Sequence, residues 1–315
     1  MGTQIKIPVK GHFNWVECIW YLDRGYDDCM YKVYPEKVRR AFDLNGTKML
    51  IEITYRKNSL HLNWLVGDPN DSEIRHINFF ISEWFDLKTD LKPFYELLSS
   101  NLSLAYMTKD YSGLRLIGIP DLFESLAWCI IGQQINLSFA YKIKRRLVEK
   151  HGSFIEYEQE RYWIFPSPDL AASLAVAELR EFQFSNKKAE YLIEVARGFS
   201  NGTLSKKILS RLPDLPSRQK MLSSLRGVGI WTTNYVLMKS LKEKSCIPYG
   251  DAGLLNALIS HDIIKNKADK ESINKFFEAF SGWESYMVFY FWRSLANSRP
   301  FLSVTLTEAV VKNDT

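Results

Sequence analysis

The rhythm of hydrophobic and polar positions changes partway along the chain. In roughly the first ninety residues, Lys48–Arg56 (KMLIEITYR), Ser59–Gly67 (SLHLNWLVG) and Glu73–Phe85 (EIRHINFFISEWF) carry alternating or β-branched apolar runs. Asn-Ser and Asp-Pro-Asn-Asp turn signals separate them, so the pattern predicts strands of an antiparallel sheet. Asn14–Gly25 instead places its apolar residues at helical spacing and its charges on other faces. From about Asp86 the period becomes helical throughout. Leu91–Ser100 carries an apolar stripe, and Leu122–Ile131 is apolar nearly all round, as a central buried helix would be. The following segment to Gly152 is amphipathic and basic. Asp169–Leu174, Ala177–Phe182, Lys187–Phe199 and Leu204–Leu209 are further helices between Ser, Pro and Gly breaks. Ser272–Phe280 and Glu284–Leu295 complete a bundle. The class is α+β, with residues 1–90 forming a small α+β domain and residues 91–315 a helical one.

Two segments of the helical part carry candidate chemistry. In LRGVGIWTTNY (Leu225–Tyr235), Gly227 and Gly229 flank Val228 between the helix-compatible runs Ser217–Ser224 and Trp231–Leu241. Two helices joined by such a turn form a helix-hairpin-helix. The glycines let the backbone approach an anion closely, and the N–H groups of Gly227, Gly229 and Trp231 would bind one phosphate at the second helix's N-terminus. A dinucleotide-binding loop needs a strand before the glycines, whereas SRQKMLSSL is charged and unbranched. A purely structural turn is the plainer alternative. Downstream, IPYGDAGLL (Ile247–Leu255) sets Asp251 between Gly250 and Gly253, just before another apolar helix. As a helix N-cap it would need no further role. As a lone acid beside a phosphate grip it points to chemistry on a nucleotide.

Leu225–Tyr235 together with IPYGDAGL resembles the helix-hairpin-helix DNA glycosylase superfamily. Pro120–Gly152 looks like the helix pair that opens the catalytic domain of bacterial 3-methyladenine DNA glycosylase II, and Phe165–Leu204 is similar to that family's next helices. The resemblance runs from about Trp84 to Leu295. It implies an N-terminal antiparallel-sheet (TBP-like) domain before an all-α catalytic domain. It also implies a monomeric base-excision enzyme acting on double-stranded DNA that contains damaged bases.

Asp251 would stabilise the oxocarbenium-like sugar, and a cationic alkylated base leaves neutral, so no second acid is required. In bifunctional relatives the residue two beyond the hairpin's second glycine is a lysine. Here it is Trp231, so the resemblance implies no Schiff-base lyase chemistry. Trp231, Tyr235 and Trp292 fall where the family has pocket aromatics, and Tyr21 aligns more loosely with the same cleft. Such rings would attract a cationic base by cation–π energy, while ordinary core packing is the alternative. Gln133 and Gln134 lie in the loop whose side chain fills the gap left by the flipped base, although close relatives have an apolar wedge where Gln134 stands. Gly227, Val228, Gly229 and Ile230 would face DNA. The carbonyls of Ser223, Leu225 and Val228 correspond to a structural Na+ or K+ site. Two rival readings remain: a non-catalytic DNA-binding protein, and a glycosylase for oxidised or deaminated bases.

Composition adds limits. A length of 315 residues fits two domains, and 46% hydrophobic content is ample for a core. A net charge of +5 permits a basic DNA-facing surface. Cys18, Cys29, Cys129 and Cys246 are scattered, so neither the iron–sulfur cluster of one superfamily branch nor a disulfide framework is expected. The five histidines show no metal-ligand spacing. No apolar leader or membrane span is legible, and the expected location is cytoplasmic. Lys142, Lys144, Arg145 and Arg146 read as a solvated helix face, with phosphate contact as the alternative.

Overall fold

The computed structural model describes residues 4–296. Strands β1 (Gln4–Pro8), β2 (Lys32–Tyr34), β3 (Lys37–Leu44), β4 (Thr47–Arg56) and β5 (Ser59–Val66) form one antiparallel sheet in the order β1-β5-β4-β3-β2. The β4–β5 hairpin pairs Arg56 with Ser59 across Lys57 and Asn58, both left-handed at φ 49° and 52°. That is the turn geometry that matches the twist of paired strands. Ile51, Ile53, Leu60 and Leu62 line the buried face. β3 lacks an apolar strand signal because two of its buried residues, Arg39 and Arg40, are charged.

Helix α1 (Trp15–Leu22) starts at Asn14, whose side chain accepts the Val16 and Glu17 N–H groups at 3.0 and 3.3 Å. Glu73–Phe85 departs from the strand expectation, since α2 spans Asp71–Trp84. Asn70 accepts the Ser72 and Glu73 N–H groups at 2.8 and 3.1 Å, and Glu73 accepts the Asn70 N–H at 2.8 Å. This capping box fixes the helix start. Ile77, Phe80, Ile81 and Trp84 then bury one stripe at the helical period, which outweighs the β-propensity of Ile and Phe.

The helical part comprises α3 (Lys92–Ser100), α4 (Met107–Asp110), α5 (Leu122–Gly132), α6 (Leu137–His151), α7 (Pro168–Ser173), α8 (Val176–Glu181), α9 (Asn186–Ser200) and α10 (Lys206–Arg211). It continues through α11 (Leu215–Ser223), α12 (Ile230–Val236), α13 (Ala252–Ser260), α14 (Lys270–Glu278) and α15 (Glu284–Ser294). As expected, α5 is the central helix, buried from Leu122 to Ile131 and packed against α6, α9 and α12. One element had no sequence signal: a two-stranded hairpin of β6 (Ser153–Tyr157) and β7 (Glu160–Ile164) between α6 and α7. Its turn puts Glu158 and Gln159 at φ 51° and 62° without the usual glycine or asparagine. It docks beside β3, where Arg39 donates to Glu158 at 2.7 Å and Tyr34 donates to Glu160 at 2.8 Å.

The sheet and the helices share one hydrophobic cluster and a buried charge network. Glu124 on α5 binds Arg40 of β3 at 2.8 Å and Lys144 of α6 at 3.1 Å, and Lys144 also binds Asp28 at 2.9 Å. The Lys144 side chain is 2% exposed, which removes it from the solvated face predicted for it. Arg145 does stay partly exposed, paired with Asp27 and with Glu149. The four cysteines are all buried and unbridged. No helix among the described residues is long and apolar enough to cross a membrane.

Candidate functional site

Helices α11 and α12 meet at the glycine turn, and the two glycines differ. Gly227 has φ +82°, and a Cβ on it would lie 2.2 Å from the Tyr191 ring, so both backbone and packing require glycine. Gly229 has φ −87°, and a Cβ there would meet nothing within 4 Å. Neither backbone conformation nor packing within the protein requires glycine there. Val228 is buried and anchors the turn, while its N–H donates to the Leu225 carbonyl at 3.0 Å. Ser223, Gly229 and Ile230 are exposed, Ile230 at 52%. The first main-chain bond into α12 runs from the Thr233 N–H to the Gly229 carbonyl, leaving the N–H groups ahead of it directed outward from the helix start.

Gln133 and Gln134 occupy the turn between α5 and α6 and do different things. The Gln133 amide donates to the Gly227 carbonyl at 2.8 Å, which ties this loop to the hairpin. Gln134 is exposed at φ +56°, in the left-handed region.

Asp251 is the N-cap of α13, so the plain structural reading is true of it: its Oδ1 accepts the Leu254 N–H at 2.8 Å. The carboxylate does more than cap. Trp292 Nε1 of α15 donates to Oδ1 at 2.9 Å, and Trp231 Nε1 of α12 donates to Oδ2 at 3.2 Å. Two indoles from different helices thus fix a partly exposed carboxylate at the mouth of the hairpin. Sequence reasoning named both tryptophans as stacking surfaces and missed these N–H bonds, which follow only from the folded arrangement.

The rings form a continuous wall. Trp231 lies 5.4 Å from Tyr235, Tyr235 5.9 Å from Trp292, Trp292 6.1 Å from Phe289, and Phe289 4.6 Å from Tyr21. Tyr21, from the N-terminal sheet domain's helix, therefore does join the cleft. Its ring is already engaged, with the Arg24 guanidinium 4.0 Å and the Lys239 ammonium 4.3 Å from its centroid. Phe289 and Lys239 were not singled out in the sequence, because Phe in an apolar helix and Lys in a polar-looking run carry no distinctive signal. No group of three or more His, Cys, Asp or Glu that could hold a metal ion occurs among the described residues. The arrangement offers a fixed negative charge, electron-rich rings beside it, and an anion-accepting turn.

Known proteins share both halves of this architecture. The profile of the HhH-GPD superfamily of base excision DNA repair proteins matches residues 127–281, and that of the 8-oxoguanine DNA glycosylase N-terminal domain matches residues 31–126. A DNA-3-methyladenine glycosylase of Bacillus subtilis is 35% identical over 294 residues, covering 92% of this chain and 97% of the relative. The solved 3-methyladenine DNA glycosylase of Archaeoglobus fulgidus superposes with a TM-score of 0.77 at 21% identity, over 91% of this chain and 97% of that one. The apo 8-oxoguanine glycosylase/lyase of Clostridium acetobutylicum does so at 0.68 and 19% identity, over 92% and 97%. At such identities the structural likeness is one of fold.

Proposed function

The chain belongs to the HhH-GPD superfamily and is a DNA glycosylase of base excision repair, and from that premise we propose that it is a monofunctional hydrolase of alkylated purines. 3-Methyladenine and 7-methylguanine are the type substrates. The observation that carries this reading is the Asp251 carboxylate held by two indole N–H groups, with Trp231 in the place a lysine nucleophile would occupy. Duplex DNA hides the glycosidic bond, so the target nucleotide must be flipped out of the stack. The bond from C1′ to the base nitrogen then breaks, its electron pair goes to the base, and positive charge develops on the sugar. Asp251, oriented by Trp231, Trp292 and the Leu254 N–H, stabilises that charge. Water adds at C1′ and loses its proton to Asp251 or to solvent, leaving an abasic site. A base already cationic departs neutral, which explains how one carboxylate suffices.

Around this centre, Gln134 is the wedge for the vacated gap, and Gln133 sets its position by holding the hairpin. The carbonyls of Ser223, Leu225 and Val228 would supply oxygen donors to a hard monovalent cation beside the phosphate, the Leu225 oxygen through the lone pair that the Val228 N–H does not use. The match of residues 31–126 to an 8-oxoguanine glycosylase domain keeps oxidised purines as the second reading. Trp231 argues against the lysine-based form of that chemistry. The partner is double-stranded DNA containing a damaged base, met by a monomer in the cytoplasm.

The direct test is incubation of the purified chain with methylated duplex DNA. Free 3-methyladenine and 7-methylguanine should appear, and a chain that releases neither from such DNA but does release oxidised purines has the other specificity. The hairpin has its own test. Gly229→Ala should fold with unchanged stability, because its Cβ enters open space, yet bind all DNA sequences roughly tenfold or more weakly by holding a phosphate off the amides. Unaltered affinity at moderate salt would make the turn structural only.

A further inference from the structure

Two rings of the aromatic wall, Tyr21 and Tyr235, also line a cavity that includes neither Asp251 nor the two tryptophans bonded to it. Tyr21, Arg24, Trp128, Tyr141, Tyr235 and Lys239 line it. Trp231, Tyr235 and Lys239 are spaced four apart, so the helix that carries the first two rings also carries the amine. At Lys239 that helix has passed into a π-helical turn, Leu237–Leu241. Such turns are frequent at functional sites.

Lys239 is 1% exposed and has no carboxylate partner among the described residues. Its ammonium donates to the Tyr21 hydroxyl at 3.1 Å and to the Ile117 carbonyl. An ammonium has three hydrogens, so one is left over. Because Tyr21 oxygen accepts from Lys239, its own proton is free to point elsewhere, and no protein acceptor for it occurs among the described residues. Arg24 uses only Nε, which donates to the Tyr21 carbonyl at 3.0 Å, and its two terminal nitrogens have no bond to the described residues. Of the cavity's acids, Glu124 is bound through both oxygens, by Arg40 and Lys144, and Asp28 through Oδ1, by Lys144 and the Met30 N–H. Arg24, Lys239 and Tyr21 thus bring unspent side-chain hydrogens to the cavity, beside the Arg40 Nε–H, which is buried without a partner, and the Tyr141 and Tyr235 hydroxyls. A group entering past Tyr235 meets donors, and a buried donor left unmatched is costly.

We infer that Arg24 and Lys239 are specificity-determining residues that read the oxygen-bearing edge of a flipped base. Purines with a carbonyl at C6, such as 7-methylguanine and hypoxanthine, are favoured over those with an amino group there, such as 3-methyladenine. The inference rests on the glycosylase reading above. It adds a discrimination that the rings cannot supply, since stacking senses charge and area but not the C6 substituent.

Methylated duplex DNA contains both 7-methylguanine and 3-methyladenine, and both are cationic, so the change in the ratio of their release rates between variant and wild type cancels their shared charge and their different intrinsic lability. The ratio is also insensitive to the fraction of enzyme that is active. Wild-type chain, Lys239→Met and Arg24→Met should be compared under single-turnover conditions. The expected result is a fall of at least about tenfold in the ratio of 7-methylguanine to 3-methyladenine release in each variant. Excision of hypoxanthine from a defined duplex should fall in parallel. An unchanged ratio in both variants would overturn the inference while leaving the glycosylase reading intact. Wild-type chain that releases neither base would overturn the glycosylase reading and this inference with it. If Lys239→Met does not fold, Arg24→Met decides, because Arg24 is partly exposed and makes one main-chain bond.

Discussion

Asp251→Asn should fold normally, bind duplex DNA carrying an abasic site, and release damaged base at least ~100-fold more slowly, the scale of removing one preorganised electrostatic group. The variant keeps its shape because an amide oxygen at the Oδ1 position can still accept the Leu254 N–H, which caps α13, and the Trp292 indole. It loses two things. The negative charge facing the sugar disappears. The amide NH2 then replaces Oδ2 opposite Trp231 Nε1, so two donors face each other where a bond of 3.2 Å had been. Reversing the amide instead would place the NH2 against two donors and sacrifice the cap. Single-turnover base release, with abasic-DNA affinity as the control, measures this. A variant that keeps a near-wild-type rate removes Asp251 from the chemistry and leaves it an N-cap.

Glu124→Gln should destabilise the fold by about 3 kcal/mol at neutral pH, the usual cost of removing one partner of a buried ion pair. Arg40 loses its carboxylate altogether, while Lys144 keeps Asp28. Burial alone would raise the Glu124 carboxyl, but Lys144 and Arg40 outweigh it and hold it below its ordinary value of 4.5. The sign follows from linkage. A depressed carboxyl stabilises the fold above 4.5, and that contribution is lost as pH falls through its folded value. Burial likewise pulls Lys144 down, yet Asp28 and Glu124 hold it above its ordinary value. Urea midpoints of the two proteins should therefore differ widely at pH 7 and converge on acidification below 4.5. Equal midpoints at pH 7 would show that the network adds nothing to the join between sheet and helices.

What could be read in the sequence was local. The glycine turn and the acid before α13 are short, contiguous signals, because backbone conformation and capping act within a few residues. The central helix α5 was legible for the same reason, being apolar nearly all round over one window. What was hidden depends on partners far away in the chain. Lys144 and Lys239 look like surface lysines until the residues around them are known, namely Glu124 and Asp28 for one, and Tyr21 and Ile117 for the other. The bonds from Trp231 and Trp292 to Asp251 join three helices. The α2 segment misled because its β-branched and aromatic content overshadowed a helical stripe that its Asn70–Glu73 box announces. The β6–β7 hairpin turns on Glu158 and Gln159, residues that carry no turn signature.

The central claim is hydrolysis at Asp251 with no enzyme amine bonded to the sugar. The measurement that tests it most directly is turnover of a duplex with a single alkylated purine in the presence of borohydride, which reduces any Schiff base between a lysine and the opened sugar to a stable adduct. Base release should be complete, with no protein–DNA adduct and an abasic strand that stays intact until treated with alkali. A borohydride-trapped adduct that forms as the base is released would contradict it, because a lysine would then be the nucleophile in spite of Trp231.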